Sequence, residues 1–412
     1  MHIRELSINE FTSYEKNHPL SSFYETINYA LLMAENGYDY DLIGYVDDYN
    51  TIYAATIILL KPIGIKCFYG YAPRGFLIDY TNESLFQNFT EDLKKYYYEK
   101  SVIFIKINPN IIIGEVDKDY NVIYNNNYSI INLLTTNGYK KLKDNLYFEA
   151  LLPRFNAFID LKNFKKENIS KNTRNKINKG IRKGLTLEKC SKDEINYFYN
   201  FVKSKKNHDE FYYKDYYTVF EKNDSIDLFL VSIDYLSYLK NSENVYNKEL
   251  ERNALLNNKV AINPTEKIIN AKMNSDKAIL TYKNDILEAT KGMNLTDKVY
   301  IAGALVIKHN NSVNIVYSGY DINFKRFAPN YFLHYSLINY YKNNYNNLDL
   351  NGVVGDFKST NFYTGLNEFK LGFNPKVYEF IGEYDLIIEP KSYDILLKNG
   401  ILAKEFNKKD IK

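Results

Sequence analysis

The chain has 412 residues, 45% of them apolar and 25% charged, and its 53 basic and 50 acidic residues leave a net charge of +3. This composition is that of a globular protein with room for two domains or more. The two distant cysteines exclude a disulfide framework or a zinc ribbon, and the longest apolar run, Tyr53 to Leu60, is too short for a membrane span. The charged N-terminal residues show no signal peptide, so we expect a cytoplasmic protein.

Two segments have the same predicted order of strand, strand, helix and strand. The first segment consists of the stretches "YNTIYAATIILL", "KCFYGYAPRG", "ESLFQNFTEDLKKYYYEK" and "SVIFIKINP". The second segment consists of the stretches "KVYIAGALVIKH", "VNIVYSGYDINF", "PNYFLHYSLINYYKNNY" and "NLDLNGVVGD". Alternating apolar residues predict the strands, and apolar residues at 3.6-residue spacing predict the helices. We interpret the pair as a duplicated α/β unit, with chance similarity between two ordinary hairpins as the alternative.

The composition changes between the two repeats, from about residue 235 to 293, where Lys, Glu, Asn and Leu predominate around a single proline. The midpoint "INPTEK" predicts a helix start, with Asn263 as N-cap, Pro264 at the first helical position and Glu266 at N3. Apolar residues at three- and four-residue steps predict an antiparallel two-helix coiled-coil arm, about 40 Å long, with a thin seam. The expected seam positions are Leu236, Leu239, Glu243, Tyr246, Leu250, Asn253, Asn257 and Val260, then Ile268, Lys272, Ser275, Ile279, Tyr282, Ile286, Ala289 and Met293.

The stretch "SKNTRNKINKGIRKGL", Ser170 to Leu185, holds six basic residues and no acidic residue. We expect Ile177 and Ile181 to anchor a helix whose charges spread over the remaining surface. Such a surface is either an ordinary solvated face or a binding site for the phosphates of a polyanion. The basic residues are Lys171, Arg174, Lys176, Lys179, Arg182 and Lys183.

The common catalytic motifs for nucleotide binding, zinc proteolysis and serine hydrolysis are not in the sequence. The five histidines are scattered without metal-ligand spacing, so we expect neither a metal nor a cofactor. A duplicated unit of this kind is similar to the acyl-CoA N-acetyltransferases, which hold the CoA pyrophosphate on a glycine-rich turn before a helix. The corresponding turn here, "NFKRFAPNYF", has Ala328 and Pro329 instead, which disfavours acyl-CoA as the donor.

The order and spacing of several motifs carry a resemblance that covers essentially the whole chain. They are the helical arm and the stretches "YAPRGFLIDYTN", "FIKINP", "NTRNKINKGIRKGL", "FAPNYFLHYSLINYYKNNYNNLDLNGVVGDF", "EFKLGFNP" and "YEFIGEYDLIIEP". The chain resembles the Fem family of peptidoglycan-bridge aminoacyltransferases, non-ribosomal enzymes that take amino acids from aminoacyl-tRNA. The arm is similar to the tRNA-binding arm of seryl-tRNA synthetase.

The resemblance implies an α/β (α+β) fold of two tandem acetyltransferase-like domains with the arm inserted. We expect the first domain at residues 1–152, the second at 153–234 and 294–412, and the arm at 235–293. The implied activity is transfer of glycine, alanine or serine from aminoacyl-tRNA to the side-chain amine of a peptidoglycan stem peptide. An acyl-CoA-dependent N-acyltransferase and a non-catalytic relative that binds tRNA or the precursor are the alternatives.

The resemblance also implies site residues. Lys370 matches a family lysine near the acceptor site, where a cation could stabilise the oxyanion formed when an amine attacks an ester carbonyl. Tyr317 matches a family tyrosine that contacts substrate, and Tyr212 and Tyr213 are expected to line the cleft. Arg74, between a proline and a glycine, suits a turn that presents a cation to an anionic substrate. The alternatives are a surface lysine, a core tyrosine and a purely structural arginine.

Three positions depart from the family member that binds a nucleotide-linked pentapeptide. Its phosphate-binding lysine corresponds to Leu31 and its phosphate-binding arginine to His208, and a neutral histidine is the poorer diphosphate ligand. The family aspartate of an Asp-Pro pair is Asn108, which removes one candidate general base. His208 and Asn108 are still expected among the substrate-binding residues. These departures favour a lipid-linked acceptor at the inner membrane face and leave the base unnamed. The tRNA donor favours the polyanion interpretation of the basic stretch, and the oligomeric state is open.

Overall fold

The computed structural model describes residues 1–64, 66–204, 208–295 and 298–406, which form seventeen strands and thirteen α-helices. The strands are β1 His2–Glu5, β2 Asp39–Val46, β3 Ile52–Pro62, β4 Phe68–Ala72, β5 Leu77–Ile78, β6 Val102–Ile107, β7 Ile112–Val116, β8 Val122–Tyr124, β9 Tyr139–Lys141, β10 Phe155–Asp160, β11 Leu185–Cys190, β12 Ile226–Ile233, β13 Tyr300–His309, β14 Ser312–Tyr320, β15 Asn347–Val353, β16 Lys376–Phe380 and β17 Tyr384–Ile387. The helices are α1 Ile8–Asn17, α2 Ile27–Glu35, α3 Glu83–Glu99, α4 Ile130–Thr136, α5 Lys171–Arg182, α6 Ile195–Val202, α7 Glu210–Glu221, α8 Tyr235–Ile262, α9 Glu266–Gly292, α10 Pro329–Tyr341, α11 Thr364–Leu371, α12 Pro390–Lys398 and α13 Ile401–Phe406.

The first sheet has the strand order β1-β2-β3-β4-β6-β17-β9, with β5 also paired to β3. Its central strands are apolar on both faces because helices cover both. Phe86 and Phe89 of α3 pack on one face, and Phe11 of α1 and Ala30 of α2 pack on the other. Buried apolar area of this kind is the main favourable contribution to folding.

The second sheet has the order β11-β12-β13-β14-β15-β10-β16-β7-β8. Ile177 of α5 and Leu333 of α10 pack on one face, in one core cluster. Phe198 of α6 and Tyr213 of α7 pack on the other face, in a separate cluster. The molecule therefore contains two three-layered α/β units.

The predicted duplication is confirmed. In each unit an antiparallel hairpin, β3–β4 or β13–β14, leads to a helix, α3 or α10. The strand that follows the helix then pairs in parallel with the second strand of the hairpin, as β6 does with β4 and β15 does with β14. The sequence similarity between the two segments thus reflects the same local topology.

The expected division of the chain at residue 152 does not coincide with the sheets. Strand β17, from the C-terminal part, lies in the first sheet between β6 and β9. Strands β7 and β8, from the N-terminal part, extend the second sheet beyond β16. Local periodicity predicts that a segment is a strand. It does not indicate which sheet the strand joins, because that depends on pairing with distant strands. The two units have therefore exchanged strands.

Helices α8 and α9 form the expected hairpin and pack antiparallel. Tyr238 near the start of α8 donates to Glu288 near the end of α9, at 2.9 Å, and Asn253 donates to Ser275 Oγ at 3.0 Å. The 28 residues of α8 correspond to a length of about 42 Å. No described helix has the combination of length and hydropathy that spanning a membrane requires.

Two details of the predicted hairpin are wrong. Helix α9 begins at Glu266 with Thr265 as N-cap, so Asn263 and Pro264 lie in the connection. Asn263 has extended backbone angles, the conformation to which a following proline restricts a residue. The seam is also more polar than expected: the predicted seam residues Leu236 and Leu250 are exposed, whereas Asn253, Ser275 and Ala289 are buried.

Candidate active site

Arg74 lies in the turn between β4 and β5, at the junction of the two sheets. Its backbone is left-handed, with φ of 62°. The Arg74 N–H donates to Asn108 Oδ1 at 2.8 Å, and the Arg74 carbonyl accepts from the N–H of Asn110 at 3.0 Å. The Asn108 amide nitrogen donates in turn to Tyr71 Oη at 3.1 Å. Asn108, expected to bind substrate, is thus placed to hold the turn that carries Arg74.

The Arg74 side chain crosses from the first unit toward the second. Its guanidinium carbon lies 3.9 Å from the centroid of the Phe380 ring, and Nη2 donates to the Pro153 carbonyl at 3.2 Å. The residue is 4% exposed, and burial lowers its pKa from the ordinary value. Arginine nevertheless stays protonated in proteins, so this junction contains a buried positive charge. A recess beside it is lined by Arg74, Asn108, Pro153, Arg154, Phe380 and Glu383.

Lys370 lies near the end of α11 and points into the interior. It is 9% exposed, which contradicts the alternative of a surface lysine. Its Nζ donates to the carbonyl of Gly352, in β15, at 2.6 Å. Lys370 and Arg74 are therefore two buried cations, one from each unit.

Asp349 of β15 lies close enough to both cations to interact with them electrostatically. Burial raises the pKa of this carboxyl above its usual range. Hydrogen bonds from Asn156 and from the Asn351 N–H, together with the charges of Lys370 and Arg74, act in the opposite direction. Asp349 is thus an acidic side chain that interacts with a cation from each unit.

Sequence reasoning missed Asp349 and its partner Asn156. A signal was present, because Asp349 stands between two leucines, Leu348 and Leu350, that are typical of a buried strand. A charge is rarely buried in such a strand unless it is paired or functional.

Aromatic side chains from α7 and β14 form another wall of the site. Tyr212 Oη and Tyr317 Oη are 3.1 Å apart, and the ring of Tyr213 meets that of Tyr317 edge to face. The exposed ring of His208 stacks on Tyr212 with centroids 3.8 Å apart. Burial raises the pKa of both Tyr212 and Tyr317, so both phenols are protonated at neutral pH. The structure thus brings all four predicted residues together.

Tyr24 connects this aromatic wall to the charged residues. Burial raises its pKa, and the phenol interacts electrostatically with Arg74, Asp349 and Tyr212. The junction between the two sheets, the candidate cleft, therefore brings together two cations, the Asp349 carboxyl group and several phenol hydroxyls. Such a set can bind an anionic group, stabilise an oxyanion and accept a proton.

Helix α5, which carries the basic stretch, packs less simply than expected. Ile177 is buried, but Ile181 is 43% exposed, so the predicted second anchor is wrong. Gly180 is the residue that faces α10 instead. The two helices pack so closely there that a Cβ at position 180 would collide with Phe332. The expectation that Lys183 belongs to the exposed basic face is also wrong.

Lys183 is 4% exposed and lies at the root of the helical hairpin. Its Nζ donates to Asp285 Oδ1 at 2.6 Å and to the hydroxyl of Tyr238. Burial lowers the Lys183 pKa, and the hydrogen bond to Asp285 opposes that shift. Lys183 thus joins α5 to both α8 and α9 rather than facing solvent.

The other five basic residues of α5 are at least partly exposed. Arg174 donates to the Glu167 carbonyl, Lys176 lies 5.1 Å from the centroid of Tyr331, and Arg182 lies 5.2 Å from that of Tyr282 on the hairpin. Burial and the neighbouring positive charges lower the pKa of Lys179. The basic face of α5 therefore reaches the hairpin through the contact between Arg182 and Tyr282.

Two further observations concern cofactors. Among the residues that the structure describes, no group of three or more His, Cys, Asp or Glu side chains is placed to bind a metal. Helix α10 begins at Pro329, which has no N–H, and follows Ala328 with φ of 55°. A turn of this composition lacks one of the backbone donors that hold a pyrophosphate at a helix N-terminus.

Comparisons with known proteins match this architecture. The model of the FemAB family matches residues 6–397. The chain is 28% identical over 402 residues to aminoacyltransferase FemB of Staphylococcus epidermidis, covering 93% of this chain and 94% of that protein. It is 26% identical over 415 residues to aminoacyltransferase FemA of Staphylococcus aureus, with the same coverage of 93% and 94%. The crystal structure of FemX shares the fold, with a TM-score of 0.75 at 20% identity over 96% of this chain and 100% of FemX. Because the family model spans most of the chain, the protein belongs to the FemAB family, whose members FemA and FemB are aminoacyltransferases.

Proposed function

We propose that the protein transfers glycine, alanine or serine from aminoacyl-tRNA to the side-chain amine of a peptidoglycan stem peptide, and so builds the interpeptide bridge. Its membership of the FemAB family supports the reaction class. The observation that carries the proposal is the meeting of Arg74 and Lys370 with a carboxyl group in a cleft between the two units. An acyl transfer between two large substrates requires fixed charges at the point where the substrates meet.

The cleft residues have separate roles in this reaction. Attack of an amine on the aminoacyl ester forms a tetrahedral oxyanion, which the Lys370 ammonium stabilises in a largely water-free site. Arg74, held by Asn108 and by the Phe380 ring, binds an acidic group of the acceptor. The Tyr212 and Tyr317 hydroxyls orient the peptide by hydrogen bonds.

The basic face of α5 and the root of the hairpin are the proposed tRNA contact. Lys171, Arg174, Lys176, Lys179 and Arg182 are the residues at least partly exposed there. Phosphate binding by such a face weakens steeply with salt, since counterions are released from the nucleic acid. Transfer from tRNA should share that dependence.

The acceptor is proposed to be lipid-linked rather than nucleotide-linked. His208 stacks on Tyr212 at the position where the nucleotide-binding relative has an arginine, and an aromatic pair is a poor diphosphate ligand. The acceptor then lies at the inner membrane face, which the protein contacts peripherally. Acyl-CoA is the second candidate donor, and the proline at the start of α10 counts against it.

The test is a transfer assay with purified protein, lipid-linked precursor and tRNA charged with labelled glycine, alanine or serine in separate reactions. We expect ribonuclease-sensitive transfer of one label to the precursor. The variant Lys370→Met should lower kcat by about 10²–10³-fold, because an oxyanion-stabilising group is removed. The control Lys398→Met changes an exposed lysine on α12 and should have full activity.

Transfer that requires acyl-CoA instead of tRNA would contradict the proposed donor. Full activity of Lys370→Met, with a melting temperature like that of the control, would contradict the role of Lys370. No transfer to either lipid-linked or nucleotide-linked precursor would favour the non-catalytic alternative.

A further inference from the structure

The cleft contains a carboxyl group that has no role in the reaction so far. Asp349 and Asn156 lie on neighbouring strands, β15 and β10, and both side chains point away from the core that α10 covers. The residues on either side of them, Leu348, Leu350 and Phe155, belong to that core. Side chains alternate between the faces of a strand, so Asp349 and Asn156 share the opposite face.

An irregularity in the sheet brings the two side chains together. Asn156 pairs with Gly352 and Phe158 pairs with Asp349, so a step of two residues along β10 corresponds to a step of three along β15. The extra residue is accommodated at Asn351, whose φ is 68°. A β-bulge of this kind redirects neighbouring side chains and is frequent beside active sites. The Asn351 N–H then donates to Asp349 Oδ1 at 2.7 Å, which fixes the carboxyl group.

Asn156 has one polar atom that the described residues leave unused. Its amide nitrogen donates to Asp349 Oδ2 at 2.9 Å, whereas its Oδ1 is buried and accepts no hydrogen bond from any described residue. The side chain is 5% exposed. A buried acceptor without a donor is destabilising, and beside the charged residues of the candidate cleft it points to a donor supplied by a ligand.

An ammonium group satisfies both side chains at once. It has three N–H donors and a positive charge, and it would give one donor to Asn156 Oδ1 and another to the Asp349 carboxylate. A ligand hydroxyl has a single donor, and a carboxylate or phosphate ligand has no donor to give to Asn156 Oδ1. We infer that Asp349 and Asn156 bind the ammonium group of the acceptor peptide, and that Asp349 removes its proton before the amine attacks the aminoacyl ester. This inference rests on the proposed function and supplies the base that the reaction lacked.

The protons and bonds balance without another reactant. The carboxylate of Asp349 takes one proton from the ammonium, and the freed lone pair forms the C–N bond with the ester carbonyl carbon. The C–O bond to the tRNA ribose then breaks, and the second proton from nitrogen goes to the leaving ribose oxygen. The third stays on the amide nitrogen, and Asp349 releases its proton to solvent.

The groups that face Asp349 suit it to this role. Lys370 from α11 and Arg74 from the β4–β5 turn favour the carboxylate, as do the hydrogen bonds from Asn156 and Asn351, and Tyr24 lies nearby. Burial outweighs them and raises the Asp349 pKa. A base whose pKa is raised toward neutrality accepts a proton from an amine more readily than an ordinary aspartate does.

The decisive experiment uses Asp349→Asn in the transfer assay with lipid-linked precursor. We expect turnover at pH 7 to fall about 10²–10⁴-fold. The residual rate should then rise about tenfold per pH unit from pH 7 to 9, as the fraction of free amine rises below its pKa of about 10.4. Asp227→Asn is the matched control, since Asp227 is a buried aspartate of the same sheet whose partners Lys189, Lys308 and Tyr341 lie outside the cleft.

Asn156→Ala provides a second variant in case Asp349→Asn does not fold. Loss of its hydrogen bonds should lower turnover about tenfold. The acidic limb of the pH profile should also move to higher pH, because the Asn156 amide lowers the Asp349 pKa in the native protein. A merely structural role would leave that limb in place.

A folded Asp349→Asn variant within a few-fold of native turnover at pH 7 would overturn the inference while leaving the proposed function intact, since the native protein still transfers. Absence of transfer by the native protein would overturn the proposed function itself. A parallel reaction uses tRNA whose aminoacyl group is N-acetylated. If the defect of Asp349→Asn disappears with that donor, the pair binds the α-ammonium of the donor, and the inference about the acceptor is wrong.

Discussion

Glu25 is a fully buried carboxyl group directly beneath the turn that carries Arg74. Its oxygens accept from Thr56 Oγ1 at 3.3 Å and from the N–H of Ile57 at 3.1 Å. A Cβ at position 75 would collide with this carboxyl group, which explains the glycine that follows Arg74. Burial raises the Glu25 pKa well above its ordinary value. The residue therefore supports the cleft at a cost to the stability of the folded state.

Replacing Glu25 by glutamine should stabilise the protein at neutral pH. Between the ordinary pKa and the raised one, folded Glu25 holds a proton that the unfolded chain has lost, so stability falls as pH rises through this window. Glutamine is neutral throughout and can still accept from Ile57 and donate to Thr56. We expect Glu25→Gln to raise the free energy of unfolding by about 1–3 kcal/mol at pH 8 and by less at pH 5.

Urea denaturation at the two pH values measures this difference. The control Glu99→Gln changes an exposed carboxylate at the end of α3 and should have a small effect at both. A gain for Glu25→Gln that is equal at pH 5 and pH 8 would show that Glu25 does not titrate in this window.

At the scale of single elements, Lys183 links α5 to the hairpin. The ammonium is buried between Asp285 of α9 and Tyr238 of α8, with Glu288 at 3.7 Å. Asp285 is itself 6% exposed, and its Oδ2 has no hydrogen-bond partner among the described residues. This buried ion pair therefore contributes to fixing the orientation of the hairpin relative to the basic face.

Lys183→Met should destabilise the protein by about 3–5 kcal/mol, because it leaves the Asp285 charge buried without its cation. Chemical denaturation measures the loss, and hydrogen exchange should show it concentrated in the adjoining ends of α8 and α9. Lys171→Met, at the exposed start of α5, should change stability by less than about 0.5 kcal/mol.

A double variant separates charge burial from packing. Lys183→Met with Asp285→Leu removes both charges and should recover most of the lost stability. If Lys183→Met is as stable as Lys171→Met, Lys183 does not anchor the hairpin.

Which elements form could be predicted from the sequence, because periodicity is a local property. The strands and helices of both repeats and the two helices of the hairpin were identified in this way. The ends of elements depend on individual residues, as at Asn263, whose backbone is restricted by the following proline. The resemblance to a family predicts Arg74, Tyr317 and Lys370 as site residues. Asp349 and Asn156 were missed because the bulge that brings them together depends on pairing between distant strands.

At the scale of the whole molecule, the exchange of strands makes the two units depend on each other. Leu386 of β17 and Tyr393 of α12 belong to the cores of the first unit. Lys106 of β6 is 2% exposed and pairs with Asp385 of β17 at 2.8 Å. The first unit therefore needs the C-terminal segment for its sheet, for its core and for the neutralisation of a buried charge.

A fragment of residues 1–152 should accordingly fail to fold by itself. It lacks β17, which lies between β6 and β9, so β9 loses its connection to the sheet. It also lacks the α12 and α13 residues Tyr393, Leu396 and Leu402, so the apolar face of the sheet that they cover becomes exposed to water. Since domains are stable by about 5–15 kcal/mol, the loss of β17 together with the missing apolar contacts should abolish cooperative unfolding in a thermal melt followed by circular dichroism.

Adding the missing segment back distinguishes strand exchange from other causes of misfolding. Residues 383–406, joined through a flexible linker to the end of the 1–152 fragment, supply β17, α12 and α13 and should restore a cooperative transition. The same fusion with Asp385→Leu should fail, because it restores the strand while leaving Lys106 unpaired. A cooperative melt of the 1–152 fragment without the added segment would show that the first unit is independent. The cleft would then depend on docking of two separate domains rather than on strands that each contributes to the other.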